Sequence, residues 1–276
     1  MDPQHKRRDQ TPMSASSSTA LDKPRRGIQS VEIGCQLLTV LGRHVAPLPL
    51  RELARAAGMS TGKAHPYLVS FLKLGFVDQD AGGRYELGPL ALQLGMAKLR
   101  RLDPVKEASP LVESLAVETG QSIALAVWGN LGPTIVRLEE PVEALHVNLR
   151  VGTVMGLGNT ATGRLFAAYL PPRVVEKAMA DELARLGGPP AQARKTLEAQ
   201  LAETRAHGLS RSLGQPIRGI DAFSAPVFDS GDKLVLAITA MGPAGSFDRR
   251  WNGGIALPLK RCAEAVSQRL GQLAGG

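Results

Sequence analysis

The stretch that decides the fold is residues 50–76, LRELARAAGMSTGKAHPYLVSFLKLGF. Apolar residues recur in its first part at the spacing i, i+3, i+4 and i+7, which predicts a short helix with one buried stripe. They are Leu50, Leu53, Ala54 and Ala57. Gly58 follows where this helix must stop, because a residue just past a helix end often needs a positive φ, which glycine adopts without a steric clash.

A second helix is predicted directly after this turn. Ser60 can cap its start, and its apolar side consists of Ala64, Leu68, Phe71 and Leu72. Two short helices that are joined this tightly and that both need to bury a narrow stripe indicate a helix-turn-helix. The alternative is an ordinary pair of antiparallel helices inside a helical domain.

The flanking sequence favours the helix-turn-helix. Upstream lies a third apolar stripe, consisting of Val31, Gly34, Leu37, Leu38 and Leu41. Downstream, residues 76–77 and 85–87 alternate around the turn sequence Asp-Ala-Gly-Gly at 80–83, which predicts a β-hairpin. Three helices followed by a hairpin make a winged helix-turn-helix over residues 27–88, in which the second helix of the motif enters the major groove.

Candidate DNA contacts follow from this arrangement. Thr61, Lys63, His65 and Tyr67 are candidates for the groove, and Arg51, Lys73 and Arg84 are candidates for phosphates, which fix the register without reading sequence. Ser60 is a further candidate DNA-binding residue.

One feature puts the detailed base contacts in doubt. Pro66 in a helix interior removes a hydrogen bond and clashes with the carbonyl of Gly62. The helix therefore either kinks at 62–66 or begins later, with Pro66 in its first turn.

The net charge of +8 is unevenly distributed. Residues 1–101 hold 15 Lys+Arg against 8 Asp+Glu, whereas the remainder holds 18 against 17. Such an excess suits phosphate binding, although an ordinary solvated basic surface is a serious alternative. Residues 1–26 mix Pro, Ser, Thr, Gln and charge and are expected to be a disordered basic tail, which either adds non-specific DNA contact or only aids solubility.

Composition excludes several classes of protein. The apolar content is 43% and the mean hydropathy is −0.05, and neither a membrane span nor a signal peptide is evident, so we expect a cytoplasmic protein without a membrane partner. Cys35, expected in a helix core, and Cys262 are too few and too far apart for a disulfide framework or a metal cluster. The five histidines lack metal-ligand spacing, and no nucleophile motif occurs. We therefore expect no enzyme and no cofactor.

Residues 89–103 are predicted to form a linker helix that starts at Pro89. It is apolar on two sides, so it needs two partners. We expect it to pack against the same helix of a second subunit. The alternative is a helix buried inside one subunit.

Residues 104–276 are predicted to form a separate α+β domain with a mainly antiparallel sheet covered by helices. The periodicities indicate helices at 105–116, 165–170, 173–186, 191–207 and 253–273. They indicate strands at 122–128, 134–138, 145–150, 209–212, 222–228 and 234–241.

The chain resembles the IclR family of bacterial transcription regulators over nearly everything after the tail. The motifs that carry this resemblance are GIQSVE at 27–32, LRELA at 50–54, KAH at 63–65, GRYELG at 83–88, GNTATGR at 158–164, FSAPVFD at 223–229 and AITAMGP at 237–243. The resemblance implies a winged helix-turn-helix followed by a GAF-like effector-binding domain.

The glycine-rich stretch 156–163 precedes a helix, whose free N–H groups can hold an anion. A simple helix cap by Asn159 or Thr160 is the alternative. The resemblance implies that the effector loop falls here and that the effector contacts the neighbouring strands, although sheet packing also accounts for the strand residues. The candidate effector residues are Gly158, Asn159, Thr160, Ala161, Thr162, Gln215, Phe223, Ser224, Thr239 and Met241.

We therefore expect a sequence-specific regulator that binds a double-stranded DNA operator as a homodimer, or as a dimer of such dimers. A small organic acid with an aromatic or aliphatic body is expected to modulate that binding. One alternative is a non-specific DNA-binding protein whose second domain only oligomerises. The other is an enzyme fused to a DNA-binding domain.

Overall fold

The computed structural model of the protein describes residues 27–141, 149–186 and 191–272. Its described residues divide into two compact units, the first ending at Leu94 and the second beginning at Gly95. The division falls inside the predicted linker helix rather than at either of its ends.

The first unit holds three helices and a small sheet. Its elements are α1 (Gln29–Arg43), β1 (Leu48–Pro49), α2 (Leu50–Ala56), α3 (Thr61–Leu74), β2 (Val77–Gln79) and β3 (Arg84–Leu87), and α4 (Pro89–Leu99) follows. The strands are antiparallel in the order β1-β3-β2. The predicted three helices and hairpin are confirmed. Strand β1 was not predicted, because two residues are too few to show a periodicity.

The core of this unit is built from the predicted stripes of the three helices and the inner side of the hairpin. It consists of Leu37, Leu41, Leu53, Ala54, Ala64, Leu68, Val77 and Tyr85. Gly34 is also buried, because a Cβ there would lie 2.9 Å from the Phe71 ring.

Two predictions for α1 are wrong. Val31 is 59% exposed, and Cys35 is exposed rather than a core residue. The buried positions of α1 are 34, 37 and 41. Position 35 lies about 100° around the helix from position 34 and so points away from them.

Helix α4 has no buried residue in the described chain. Its apolar side chains Leu92, Leu94, Met96 and Leu99 are exposed. Both the pairing with a second subunit and the alternative of a helix buried inside one subunit stay predictions, because α4 spans the boundary between the two units.

The second unit is an α+β domain, as predicted. Its elements are α5 (Pro104–Thr119), β4 (Ser122–Gly129), β5 (Gly132–Glu139), α6 (Ala161–Tyr169), α7 (Pro172–Leu186), α8 (Ala191–His207), β6 (Ser210–Leu213), β7 (Ile220–Phe228), β8 (Leu234–Pro243) and α9 (Ala256–Arg269). The five strands form one antiparallel sheet in the order β5-β4-β8-β7-β6. Most of the predicted strand at 145–150 lies outside the described residues, and Leu149 and Arg150 are not in a strand.

The sheet separates two hydrophobic clusters because side chains alternate along each strand. One face packs on α5 and α9 and includes Ile238 and Ala240 of β8. The other packs on α6 and includes Ala237 and Met241 of the same strand. No described helix is long and apolar enough to cross a bilayer.

Candidate DNA-binding surface and ligand cavity

The turn between α2 and α3 sets where the second helix of the motif begins. Gly58 has φ +67°, and the N–H of Met59 donates to the carbonyl of Ala54 at 2.9 Å. Ser60 is the N-cap, and its hydroxyl accepts from the N–H of Lys63 at 3.3 Å. Helix α3 therefore begins at Thr61, immediately after the turn.

Pro66 lies inside this helix, which runs without interruption from Thr61 to Leu74. The alternative of a later helix start with Pro66 in the first turn is therefore wrong. Pro66 has no N–H, so the carbonyl of Gly62 lacks its usual helix donor. The hydroxyl of Ser70 donates to the carbonyl of Pro66 at 3.0 Å, and both residues are exposed.

All the predicted groove candidates of α3 except Tyr67 are exposed. Thr61, Lys63 and His65 are exposed, and so is Ser60 at the cap. The helix has no acidic residue in its sequence, so no carboxylate within it opposes the approach of a phosphate. Pro66 and Val69 are also exposed on this helix, and sequence reasoning had not considered Val69.

Tyr67 does not project with these residues. It is partly buried and packs against the core of the first unit. Its ring reaches to within 3.3 Å of the position that a Cβ on Gly34 would occupy. The helical period explains this position, because Tyr67 lies beside Ala64 and Leu68, the buried residues of α3.

The predicted phosphate candidates Arg51, Lys73 and Arg84 are all exposed. Arg84 is held by the hairpin turn, where a carboxylate oxygen of Asp80 accepts from the N–H groups of Gly82 at 2.8 Å and Arg84 at 2.9 Å. Gly83 has φ +76° in this turn, a conformation that glycine adopts readily because it has no Cβ.

The excess of positive charge falls mainly in the sequence before and after residues 27–88. Residues 27–88 hold 6 Lys+Arg and 5 Asp+Glu, whereas residues 1–26 hold 6 and 3. Residues 89–101 hold 3 and none. The excess that sequence analysis assigned to this half of the chain is therefore concentrated on its two flanks.

A cavity of about 50 Å³ lies in the second unit, between the start of α6, the loop after β6, and strands β7 and β8. Six of the ten predicted effector residues line it, namely Thr160, Ala161, Thr162, Gln215, Thr239 and Met241. Seven further residues line it, namely Leu149, Met155, Ser212, Pro216, Ile217, Ile220 and Ala222. Ser212 and Ala222 were missed because they adjoin Met241 through strand pairing, which has no local sequence signal.

A buried row of hydroxyl groups lies at the floor of the cavity. Ser210, Ser224 and Thr239 are directly opposite one another on β6, β7 and β8. The Thr239 hydroxyl is 2.8 Å from the Thr162 hydroxyl and 2.9 Å from that of Ser224. Ser224 therefore supports the lining residue Thr239 without lining the cavity itself. The Ser210 hydroxyl is buried and has no partner among the described residues.

Thr160 caps α6, as the structural alternative for this stretch expected. Its hydroxyl accepts from the N–H of Gly163 at 2.8 Å and donates to the carbonyl of Gly156 at 2.7 Å. Gly163 is needed here, because a Cβ would lie 2.0 Å from that carbonyl oxygen. The cap leaves the N–H groups of Ala161 and Thr162, in the first turn of α6, without helix acceptors. Capping and anion binding are therefore compatible at this helix start.

Three predicted residues lie away from the cavity. Phe223 is on the opposite face of the sheet, where its ring centroid is 5.6 Å from that of Phe247 and 5.4 Å from that of Trp251. Strand alternation forces this position, because Phe223 adjoins Ser224 on β7. The carbonyl of Gly158 accepts from the guanidinium of Arg164 at 3.0 Å, and the carbonyl of Asn159 lies 3.5 Å from the Ser212 hydroxyl.

No charged side chain is among the residues that line the cavity. The nearby Arg164 is buried, which lowers its pKa, and its guanidinium donates to the carbonyls of Gly158 and Arg211. An anion in the cavity would therefore be held by neutral N–H and O–H donors. No group of three or more metal-binding side chains occurs in the described parts of the chain.

Comparison with known families identifies both units. Residues 30–81 match the IclR helix-turn-helix domain, and residues 96–268 match the bacterial transcriptional regulator IclR C-terminal domain. The chain is 31% identical to the glycerol operon regulatory protein of Streptomyces coelicolor over 253 residues, which cover 89% of this chain and 98% of that protein. It is 25% identical to the transcriptional repressor IclR of Escherichia coli over 226 residues, covering 78% and 80% of the two chains.

Solved structures of similar proteins agree with these family matches. Pseudomonas aeruginosa HmgR is 36% identical, with a TM-score of 0.80, and the alignment covers 90% of this chain and 100% of that one. The Agobacterium tumefaciens repressor BlcR is 20% identical with a TM-score of 0.74, over 90% and 99% of the chains. That second likeness supports the fold alone.

Proposed function

This chain belongs to the IclR family of bacterial transcription regulators, and on that premise we propose that it reads a specific DNA operator through α3 while a small organic acid in the cavity of the second unit modulates the binding. The observation that carries the DNA-reading part is the start of α3, where Thr61, Lys63 and His65 are exposed on a helix without acidic residues. The helix begins at Thr61, so these residues occupy its first turns, the part that contacts base edges in this type of motif.

The ligand part rests on the chemistry of the cavity. Its hydroxyl groups and the two free N–H groups at the start of α6 are donors suited to a carboxylate, and the positive end of the helix dipole favours an anion. Its apolar lining, which includes Met155, Ile217, Ile220 and Met241, suits an aliphatic or aromatic body. Because 50 Å³ holds only a few water molecules, a larger acid requires the loop after β6 to move.

Paired operators require paired readers, so we propose that the protein acts as a homodimer or a dimer of dimers in the cytoplasm. The exposed apolar side chains of α4 are the proposed contact between two such helices. An effector can shift operator binding only by the difference between its affinities for the two arrangements of the subunits.

Footprinting on the DNA that flanks its own gene tests operator reading. Lys63→Ala should weaken operator binding by about 1–3 kcal/mol and relax specificity, whereas Lys73→Ala should weaken binding to all sequences alike and reduce the salt dependence by about one charge. Lys233→Ala, in the turn between β7 and β8, is the control and should leave DNA binding unchanged. Equal losses on all sequences for Lys63→Ala would make Lys63 a phosphate contact.

Titration calorimetry with a panel of small organic acids tests the cavity. An acid that binds in it should give saturable heat, which Thr239→Val should abolish. The absence of saturable heat for every acid in the panel would favour the alternative of a second domain that only oligomerises. The enzyme alternative is dropped, because the relatives reported above are regulators.

A further inference from the structure

One wall of the cavity is the loop of residues 214–219, which joins β6 to β7 and is called the cavity loop below. Gln215, Pro216 and Ile217 supply this wall. All residues from 215 to 219 are exposed, so the loop is a solvent-facing wall of the cavity. A molecule larger than the cavity must therefore displace it.

The cavity loop is held at both ends by hydrogen bonds. At its start, the N–H of Gly214 is 2.8 Å from a carboxylate oxygen of Asp221 and 3.0 Å from the carbonyl oxygen of Ile220. At its end, the carbonyl of Gly219 accepts from the N–H of Ala244 at 2.8 Å. Only the first anchor uses a charged side chain.

That side chain is fully buried. The Asp221 side chain is 0% exposed, and strand alternation puts it on the face opposite to the cavity residue Ala222. A buried carboxylate is costly unless it is paired and hydrogen-bonded. Its second oxygen accepts from the Nε of Arg249, which supplies the countercharge.

Arg249 comes from a distant part of the chain, in residues 244–255 between β8 and α9. Its guanidinium also reaches the carbonyl of Ala244 at 3.4 Å, and its own carbonyl lies 3.4 Å from the guanidinium of Arg211. Half of the Arg249 side chain is exposed. The ion pair thus ties the start of the cavity loop to this segment, and its cationic partner can be reached from solvent.

We infer that Asp221 and Arg249 form a latch that holds the cavity loop closed, which makes them positioning residues for ligand entry although neither lines the cavity. This inference rests on the ligand-binding function proposed above. Breaking the ion pair weakens the one charged anchor that the described residues give the loop and leaves every lining side chain in place. The latch therefore controls how often the cavity opens rather than what it recognises.

A thiol placed in the cavity measures opening without any ligand. Met241→Cys puts a smaller side chain at a buried lining position, in a Cys35→Ser background that removes the exposed native thiol. The remaining Cys262 is buried, and burial raises its pKa to about 11, so it reacts slowly. The readout is the rate of labelling by methyl methanethiosulfonate.

Asp221→Asn and Arg249→Ala should each raise this rate about tenfold, the effect expected for loss of a hydrogen bond to a charged group. The double variant should be no faster than the faster single variant, because the two side chains act as one unit. Arg250→Ala is the matched control. Arg250 precedes Trp251 in the same segment but pairs with Asp248 instead, and its loss should leave the rate unchanged.

Trypsin cleavage after the exposed Arg218 gives a second readout that needs no engineered thiol. Cleavage there should quicken in both latch variants, while cleavage after Arg173 on α7 should not. Unchanged labelling and unchanged cleavage at Arg218 in both variants would overturn the latch. An equal effect of Arg250→Ala would overturn it too. Neither readout uses an acid or DNA, so the result stands apart from the success of the proposed function.

Discussion

Replacing Thr239 by valine removes one hydroxyl from the floor of the cavity and keeps the shape of the side chain. Thr239 is 2% exposed and is hydrogen-bonded to Thr162 at 2.8 Å and to Ser224 at 2.9 Å. Each bond is worth about 1 kcal/mol, and the two buried hydroxyls left behind lose a partner that water does not replace. We therefore expect Thr239→Val to lower the free energy of unfolding by about 2–3 kcal/mol.

Urea unfolding, followed by circular dichroism, measures this change as a shift of the midpoint at constant slope. The matched control is Thr204→Val. Thr204 is as buried, but its hydroxyl makes one bond, to the carbonyl of Gln200 at 2.8 Å, and that carbonyl belongs to the same helix. Thr204→Val should lower the free energy of unfolding by less than about 1 kcal/mol.

A sharper test removes the three hydroxyls that are hydrogen-bonded to one another, those of Thr162, Ser224 and Thr239. The triple variant T162V/S224A/T239V leaves no unsatisfied partner in the chain of hydrogen bonds, so it should cost no more than Thr239→Val alone. A loss below about 0.5 kcal/mol for Thr239→Val, or a triple variant that loses the sum of three separate effects, would show that these three hydroxyls do not stabilise the domain as a unit.

Three further outcomes are expected from single changes elsewhere. Ser60→Ala should destabilise the first unit by about 1 kcal/mol in urea unfolding, because the N–H of Lys63 loses its acceptor. Pro66→Ala should stabilise it by up to about 3 kcal/mol, since alanine restores a donor to the carbonyl of Gly62; an unchanged midpoint would mean that the helix has already adapted. In the second unit, burial holds the pKa of Cys262 at about 11, above its ordinary value of 9.0, so the native state retains this proton longer than the unfolded chain. Its contribution to stability should be complete below pH 9 and lost as the pH rises to about 11, and Cys262→Ala should remove that part of the slope in pH-dependent thermal unfolding.

The winged helix-turn-helix was predictable because its signals are local. The stripes that contain Leu53 and Leu68, the turn at Gly58 and the cap at Ser60 all depend on neighbours within one or two helical turns, and the structure has each of them. Tyr67 faces inward rather than with the exposed residues of α3, because it lies beside Ala64 and Leu68 on the helix and packs against α1.

In the sheet, too, the sequence predicted the strands, whereas packing decided which way their side chains face. The residues of β7 and β8 were predicted as strands from composition, but the face on which each side chain lies depends on packing against helices distant in sequence. Phe223 and Ser224 were both assigned to the cavity, although adjacent strand residues must face opposite ways. Phe223 packs against the rings of Phe247 and Trp251 on one face of the sheet. Ser224 is hydrogen-bonded to Thr239 on the other face.

By itself, then, the sequence determined the two-domain order, the DNA-reading motif and the glycine-rich helix start, because these depend on periodicity and turn chemistry within short segments. Only the tertiary structure decided which residues surround the cavity and which ion pair anchors its loop. Asp221 and Arg249 are 28 residues apart, and no local pattern brings a carboxylate and a guanidinium together over that distance. Strand pairing and the path of the chain between β8 and α9 do so.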